Sequence, residues 1–147
     1  MDDELSTRYE VIEKMCNDVS KLGMLSDVSI YMDAVLKREE EIPTSIGFNV
    51  SIPHGKSDAV KKPFITFMRT ENPFLWDKKN GEEVSLIFMI GVPNNQKDTL
   101  HLKILSQISR NLMDENFRET LLETKSKDEV YNLLKSIEEN IYQKGEL

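Results

Sequence analysis

A histidine flanked by proline and glycine is the clearest candidate for a reactive group in this chain. His54 lies near the end of the stretch Val50-Ser51-Ile52-Pro53-His54-Gly55 and is one of two histidines. Proline lacks a backbone donor and glycine relaxes the next dihedral angle, so we expect strand pairing to stop here and to leave the imidazole exposed. A neutral imidazole can act as nucleophile, base or metal ligand. The alternative is a turn histidine with a purely structural hydrogen bond.

Arg38 is placed at the end of a predicted helix. This helix should begin at Ser26 or Asp27, and Arg38 follows Tyr31 of its apolar face by two helical turns. We therefore expect the guanidinium to point inward at the C-terminal end of the helix. The alternative is that its charge only complements the negative end of the helix dipole, which is worth under about 1 kcal/mol.

The second histidine, His101, falls in the first turn of another predicted helix. That helix should begin near Asp98 or Thr99, and Ile104 and Leu105 lie one turn after His101 on its apolar stripe. We therefore expect His101 on the core-facing side, at the helix end where anions are favoured. A core histidine with a structural hydrogen bond is the competing interpretation.

Two more amphipathic helices are marked by capping motifs. Thr7-x-x-Glu10 opens a helix that Gly23 is placed to end, and Ser126-x-x-Glu129 opens the last helix. Cys16 falls on the apolar stripe of the first of these helices. We therefore expect it to be a buried small side chain and not a reactive thiol.

The predicted strands lie between these helices. Apolar residues alternate from Ile46 to Ile52, which predicts one strand whose face His54 continues, just past the hydrogen-bonded ladder. Phe64 to Arg69 predicts a second strand, and Asn80-Gly81 marks a turn. Val84 to Val92 is apolar on both faces, as is typical of a central strand.

Length and composition are those of one globular domain. The chain has 147 residues, of which 39% are hydrophobic and 31% charged, and we predict a single domain over residues 1–147. Helices before, between and after three or four strands predict an α/β fold. The expected architecture is a layered α/β/α sandwich with a mixed central sheet.

Charge and motif content argue against several kinds of function. The net charge is -7 and the basic residues are scattered, which disfavours a nucleic-acid partner. No apolar run has the length of a membrane span and the acidic start lacks the basic segment of a signal peptide, so we expect a cytoplasmic protein without membrane insertion. Two distant histidines and a single cysteine predict no metal site.

The three candidate groups together favour phosphoryl transfer. If Arg38, His54 and His101 converge, the site has one nucleophile, two cationic or donor groups, and no obvious carboxylate or metal to activate water. A transferred phosphoryl group carries charge on three oxygens, which arginine and helix-start N–H groups stabilise well. The alternative, a histidine-based hydrolase, is disfavoured because the sequence places no acidic residue to orient His54 as a general base.

The order of motifs around His54 resembles a known signature. Arg38-Glu39 precedes Thr44-Ser45-Ile46-Gly47 and then Ile52-Pro53-His54-Gly55. This arrangement resembles the enzyme IIA domains of the fructose/mannitol class, from the phosphoenolpyruvate-dependent sugar phosphotransferase system. The stretches Val84 to Pro93 and His101 to Leu105 resemble the second block of that family.

Three departures from the family pattern are visible. Asn49 replaces the second glycine of the loop, and Ser51 replaces the usual alanine before Ile-Pro-His. Among the residues other than glycine, asparagine best tolerates left-handed backbone geometry, so the same turn is expected at Asn49. The strand that commonly opens such domains has no visible counterpart, since the chain begins almost at its first helix, and we expect that edge strand to be missing.

The resemblance implies a role for each candidate residue. His54 would accept a phosphoryl group from the histidine-containing phosphocarrier protein and pass it to a cysteine of enzyme IIB, for uptake of fructose or a related sugar or polyol such as mannitol. His101 would contact the phosphoryl oxygens, Arg38 would balance their charge, and Thr44 and Gly55 would belong to the phosphoryl-binding loop. Such a relay needs no cofactor of its own. A nitrogen-related regulatory enzyme IIA, which signals by binding partners, is the alternative.

Overall fold

The chain divides into two compact units, residues 1–96 and 97–147. The computed structural model describes the backbone of residues 2–3, 5–79, 81–94 and 100–143, and the side chains of residues 5–79, 81–94 and 102–137. That residues 1–147 form a single domain stays a prediction.

The first unit contains a mixed β-sheet. Six strands are present among its described residues: β1 (Asp2–Asp3), β2 (Ser45–Gly47), β3 (Val50–Ser51), β4 (His54–Lys56), β5 (Phe64–Asp77) and β6 (Glu82–Val92). Their order is β1-β5-β6-β3-β2, and β4 also pairs with β6. The pairs β1/β5, β3/β6 and β4/β6 are parallel, whereas β2/β3 and β5/β6 are antiparallel. The predicted α/β fold with a mixed central sheet is confirmed.

The two helices of the first unit begin and end where their local signals place them. Helix α1 is Arg8–Lys21, and the Thr7 hydroxyl caps it by accepting from the N–H of Glu10 at 3.1 Å. Gly23 adopts a left-handed φ of 78° just beyond its end. Helix α2 is Val28–Glu41, and the Asp27 carboxylate caps its first turn.

The core of the first unit lies between these helices and one face of the sheet. Helix α1 packs on β5 and helix α2 on β4. The buried residues of this core are Val11, Ile12, Met15, Cys16, Val19, Leu25, Tyr31, Val35, Ala59, Val60, Met68, Phe74, Trp76, Val84, Ile87 and Met89. Cys16 is fully buried, and desolvation raises the pKa of its thiol to about 12. The prediction of an inert, buried cysteine is confirmed.

Strand β6 is the central strand, as its sequence predicts. It lies between β5 on one side and β3 and β4 on the other, and every residue from Val84 to Val92 is buried. Each large apolar side chain buried in this way contributes roughly 1.5–3 kcal/mol. Strand β5 extends beyond its predicted end at Arg69, since pairing shifts register there and resumes at Phe74. Of the predicted Asn80-Gly81 turn, Gly81 has a φ of 69°, and Asn80 lies outside the described residues.

The prediction of a single strand from Ile46 to Ile52 is wrong. The chain reverses at Phe48 and Asn49, which have φ values of 56° and 68°, and β2 pairs antiparallel with β3. Two consecutive residues with positive φ form the tight turn that suits a twisted hairpin. The left-handed conformation expected of Asn49 is confirmed. Apolar alternation could not reveal this turn, because Ile46 and Phe48 continue the pattern of Val50 and Ile52 in the sequence although both are exposed in the structure.

The expectation that the opening edge strand is missing is also wrong. Strand β1 pairs in parallel with β5, Asp2 opposite Arg69 and Asp3 opposite Thr70. It consists of two acidic residues and therefore has no apolar alternation for sequence analysis to detect. Its short, charged character suits an edge position, where a longer apolar strand would invite pairing with other chains.

The second unit is helical in its described part. It contains α3 (Leu100–Leu112), α4 (Glu115–Glu123) and α5 (Lys127–Gln143). The hydroxyl of Ser126 accepts from the N–H of Glu129 at 3.2 Å, which confirms the predicted cap of α5. Helix α4 was not predicted. It is short, and its local signal is a cap in which Asp114 accepts from the N–H of Asn116. No helix within the described ranges is both long and apolar enough to cross a membrane.

Candidate functional site

His54 is the first residue of a paired strand and does not lie beyond the end of the pairing. In β4 it is opposite Ile90 of β6, and the pairing continues to Lys56 opposite Val92. The predicted stop at Pro53 is therefore only an interruption, since β3 ends at Ser51 and pairing with β6 resumes at His54. Pro53 lacks an N–H, but its carbonyl accepts from the N–H of Ile90 at 3.0 Å. The parallel ladder uses the acceptor of proline at this position and needs no donor from it.

The His54 side chain is buried and oriented by a backbone carbonyl. It is 9% exposed, in contrast to the exposed nucleophile expected from the sequence. Its Nδ1 lies 3.0 Å from the carbonyl oxygen of Ile52. A carbonyl oxygen only accepts, so Nδ1 carries the proton in this contact, and the lone pair of the neutral ring is on Nε2. The nucleophilic atom of this histidine is therefore Nε2.

Gly55 has a packing role that the sequence did not indicate. It was expected in a phosphoryl-binding loop, but it lies in β4 opposite Gly91. A Cβ atom at position 55 would be 3.0 Å from Cγ2 of Val35 and 3.2 Å from Cε1 of Tyr31. Glycine is needed here because α2 lies so close to the strand. Since neighbouring residues of a strand face opposite ways, the imidazole of His54 lies on the face away from α2.

Tyr31 ties α2 to the strand that pairs with His54. Its hydroxyl donates to the carbonyl of Ile90 at 2.8 Å, and the ring is fully buried. Desolvation raises the pKa of Tyr31 well above its usual value, so the hydroxyl keeps its proton and remains a donor. Helix α2 is thus fixed to β6 at the position opposite His54.

Thr44 is connected to His54 through one intervening residue. It is buried in the loop between α2 and β2, where its N–H and hydroxyl both donate to the Glu39 carboxylate. Its own carbonyl accepts from the N–H of Ile52 at 3.0 Å. Ile52 is the residue whose carbonyl holds Nδ1 of His54. The structure therefore links Thr44 to His54 through the backbone of Ile52, on the Nδ1 side of the ring.

Glu39 is a functional candidate that sequence reasoning missed. It is 2% exposed, and its carboxylate also accepts from Nε1 of Trp76 at 3.0 Å and pairs with Arg8 at 3.7 Å. The spacing of four from Tyr31 to Val35 and on to Glu39 was the available signal. A carboxylate that continues a buried helix face needs several donors, and these donors come from distant parts of the sequence.

The inward orientation expected of Arg38 stays a prediction. The buried side of α2 continues to Glu39, and Arg38 lies at its margin, half-buried. Its Nη1 donates to the carbonyl of Ile42 at 2.7 Å, just after the helix end. This contact agrees with the alternative in which the arginine complements the C-terminal end of the helix dipole. The described contact does not join Arg38 to His54.

His101 is the second residue of α3, so its predicted place in the first helical turn is confirmed. The predicted helix start near Asp98 or Thr99 and the side chain of His101 lie outside the described residues. The convergence of His101 with His54 and Arg38 stays a prediction. Among the described side chains, no group of three or more histidines, cysteines or carboxylates is arranged to hold a metal ion.

Comparison with known sequences shows similarity over almost the whole chain. The family model described as "Phosphoenolpyruvate-dependent sugar phosphotransferase system, EIIA 2" matches residues 1–137. The PTS system fructose-specific EIIA component of Haloferax volcanii is 39% identical over 134 residues, which are 91% of this chain and 86% of that protein. The fructose-specific EIIABC component of Bacillus subtilis is 34% identical over 131 residues, and this chain spans 20% of its length.

Solved structures show the same similarity in three dimensions. The nitrogen regulatory protein IIA-Ntr of Neisseria meningitidis superposes with a TM-score of 0.82 at 28% identity, covering 91% of this chain and 90% of that one. The Escherichia coli complex of enzyme IIAMTL with phosphorylated enzyme IIBMTL matches with a TM-score of 0.78 at 26% identity, covering 92% of each chain. Both the nitrogen-regulatory and the mannitol branches therefore resemble this fold.

Proposed function

Because this chain belongs to the phosphoenolpyruvate-dependent sugar phosphotransferase system EIIA 2 family, we propose that His54 carries the phosphoryl group that the protein transfers. The protein is a phosphotransferase component of the fructose/mannitol class. The observation that carries the assignment is the contact between Nδ1 of His54 and the Ile52 carbonyl, since it leaves Nε2 as the nucleophile.

The two transfer steps follow from this orientation. In the first, the Nε2 lone pair attacks phosphorus, and a new N–P bond forms as the N–P bond of the donor phosphohistidine breaks. In the second, a cysteine thiolate attacks, and an S–P bond forms as the bond to Nε2 breaks. A proton held on Nδ1 by the Ile52 carbonyl lets the ring leave as neutral imidazole and not as an anion. The Ile52 carbonyl thereby favours both accepting and releasing the phosphoryl group.

The other candidate residues have supporting roles in this proposal. A phosphoryl group adds about -1.5 to -2 charges to a protein whose net charge is already -7. Arg38 and His101 would offset this charge and contact the phosphoryl oxygens. Thr44 supports the backbone behind the histidine, and Gly55 allows α2 to pack against the histidine's strand. No cofactor takes part in these steps.

The proposed partners follow from the two transfer steps. The donor is the phosphohistidine of the histidine-containing phosphocarrier protein, and the acceptor is a cysteine of enzyme IIB. The mannitol complex with phosphorylated enzyme IIB supports the second partner. The fructose-specific relative of Haloferax volcanii supports fructose as the sugar, with related sugars and polyols such as mannitol as the alternatives. A relay between these two partners supports a cytoplasmic location for the protein.

Labelling with radioactive phosphoenolpyruvate tests the assignment. With enzyme I and the phosphocarrier protein, the wild type should gain one acid-labile phosphoryl group, and His54→Ala should gain none. His101→Ala should still be labelled but should transfer to enzyme IIB more slowly, on the order of 10²-fold, as expected for loss of an anion-stabilising donor. Persistent acid-labile label in His54→Ala, or acid-stable label on Ser51 or Ser57, would reject the proposal.

The nitrogen-related regulatory function is the second candidate, favoured by the TM-score of 0.82 with IIA-Ntr. Both functions predict labelling of His54, so the acceptor step separates them. Transfer of label from His54 to a fructose-type or mannitol-type enzyme IIB supports the transport function. Complete retention of label in the presence of these enzyme IIB proteins favours the regulatory one.

A further inference from the structure

A buried carboxylate joins three separate segments of the first unit behind the candidate site. Glu39 of α2 accepts from Thr44 in the following loop and from Trp76 in β5, and it pairs with Arg8 in α1. The two oxygens accept three hydrogen bonds between them and take part in one ion pair. Burial of an ionised carboxylate is costly unless such donors replace its water, so these contacts depend on one another.

A continuous series of contacts runs from this carboxylate to the nucleophile. The Thr44 N–H donates to Oε2 of Glu39 at 3.0 Å, and the Thr44 carbonyl accepts from the Ile52 N–H at 3.0 Å. The Ile52 carbonyl then contacts Nδ1 of His54 at 3.0 Å. The position of the Ile52 backbone, and with it the direction of its carbonyl, is therefore set from the Thr44 side.

We propose that Glu39 is a positioning residue that selects the reactive tautomer of His54. Its carboxylate fixes Thr44, Thr44 fixes the backbone of Ile52, and the Ile52 carbonyl holds the proton on Nδ1. Glu39 does not act on the phosphoryl group itself. The proposal rests on the proposed function of His54 only for its consequence in transfer, since the tautomer can be measured without any transfer.

Glutamine is an informative replacement because it keeps the shape and changes one oxygen to an amide. The amide has one acceptor oxygen and one donor NH2, so in Glu39→Gln the Thr44 hydroxyl must turn from donor to acceptor, and the charge that strengthens all of these contacts is lost. The Thr44 loop should then be held less firmly. Glu40 offers a matched control, because it is the next residue, is exposed, and loses the same charge in Glu40→Gln.

The direct measurement is the nitrogen NMR spectrum of His54 in protein labelled with 15N-histidine, at a pH where the ring is neutral. Wild type and Glu40→Gln should show a protonated Nδ1 and an unprotonated Nε2. Glu39→Gln should show both nitrogens shifted toward the average of the two tautomers. Its transfer rate should fall on the order of 10-fold or more, with an unchanged KM for the phosphorylated carrier, as expected for a misplaced nucleophile.

Each outcome bears on the proposal separately from the proposed function. A wild-type tautomer and a wild-type rate in Glu39→Gln, with only a lower melting temperature, would leave Glu39 as a structural residue and overturn the inference. A changed tautomer without labelling of wild-type His54 would support positioning and reject the function. If Glu39→Gln does not fold, Thr44→Val removes only the hydroxyl donor, and it should shift the tautomer in the same direction. An unshifted tautomer in Thr44→Val would then overturn the inference.

Discussion

Strand β6 and the segment beside it, residues 44–56, are held in place by different kinds of interaction. Strand β6 has eleven residues, and it is buried without interruption from Val84 onward. Residues 44–56, which we call the His54 segment, contain three strands of two or three residues, separated by a turn and by Pro53. Besides the pairing of β3 and β4 with β6, single polar contacts hold this segment, such as those of Thr44 with Glu39 and of Asn49 with Ser85.

The difference teaches how stability and reactivity are divided between the two regions. Apolar burial in β6 is spread over many side chains, so β6 is a stable strand with which β3 and β4 pair. The strands of the His54 segment are short, so a few directional side-chain contacts add to their pairing with β6, and the loss of one can redirect a carbonyl without unfolding the protein. We therefore expect substitutions in β6 to change stability most, and substitutions around the His54 segment to change transfer most.

The largest expected effect on stability comes from shortening a side chain of β6. Phe88 is fully buried and its ring lies 5.1 Å from that of Phe67, so Phe88→Ala should lower the free energy of unfolding by about 3–5 kcal/mol. Denaturant titration measures this loss, and His54 should still be phosphorylated in the folded fraction. A loss under about 1 kcal/mol would contradict the expectation that substitutions in β6 change stability most.

A smaller effect is expected where the His54 segment meets α2. Gly55→Ala places a methyl group 3.0 Å from Cγ2 of Val35, so either the helix or β4 must move. Such overpacking should cost about 1–3 kcal/mol in the free energy of unfolding and should slow phosphoryl transfer by displacing His54.

A double-mutant cycle with Val35→Ala tests whether this contact is the cause. Removing the two γ-methyl groups of Val35 makes room for the new methyl group, so the double variant should lose less stability than the two single losses added together and should regain part of the transfer rate. Additive losses in the double variant would show that crowding against α2 is not responsible.

The sequence predicts β6 and the helix ends better than it predicts the His54 segment. The caps of α1, α2 and α5 and the apolar run of β6 are local signals, so those elements were predictable. The hairpin turn at Phe48 was not, because the exposed Ile46 and Phe48 extend the apolar alternation of the buried Val50. At the site, His54 and Thr44 could be proposed from type and spacing. Glu39 could not, because Trp76 and Arg8 approach it only in the folded chain.

The smallest expected effect on stability belongs to Arg38, and this variant separates stability from transfer most sharply. Lysine keeps the positive charge at the end of α2, so Arg38→Lys should change the free energy of unfolding by less than about 0.5 kcal/mol. Lysine lacks the planar fork that binds two oxygens at once, so a phosphoryl partner would be lost. If Arg38 offsets the phosphoryl charge, transfer from the phosphocarrier protein should slow while the melting temperature stays unchanged. A wild-type transfer rate would restrict Arg38 to its observed contact with the Ile42 carbonyl and would remove it from the site.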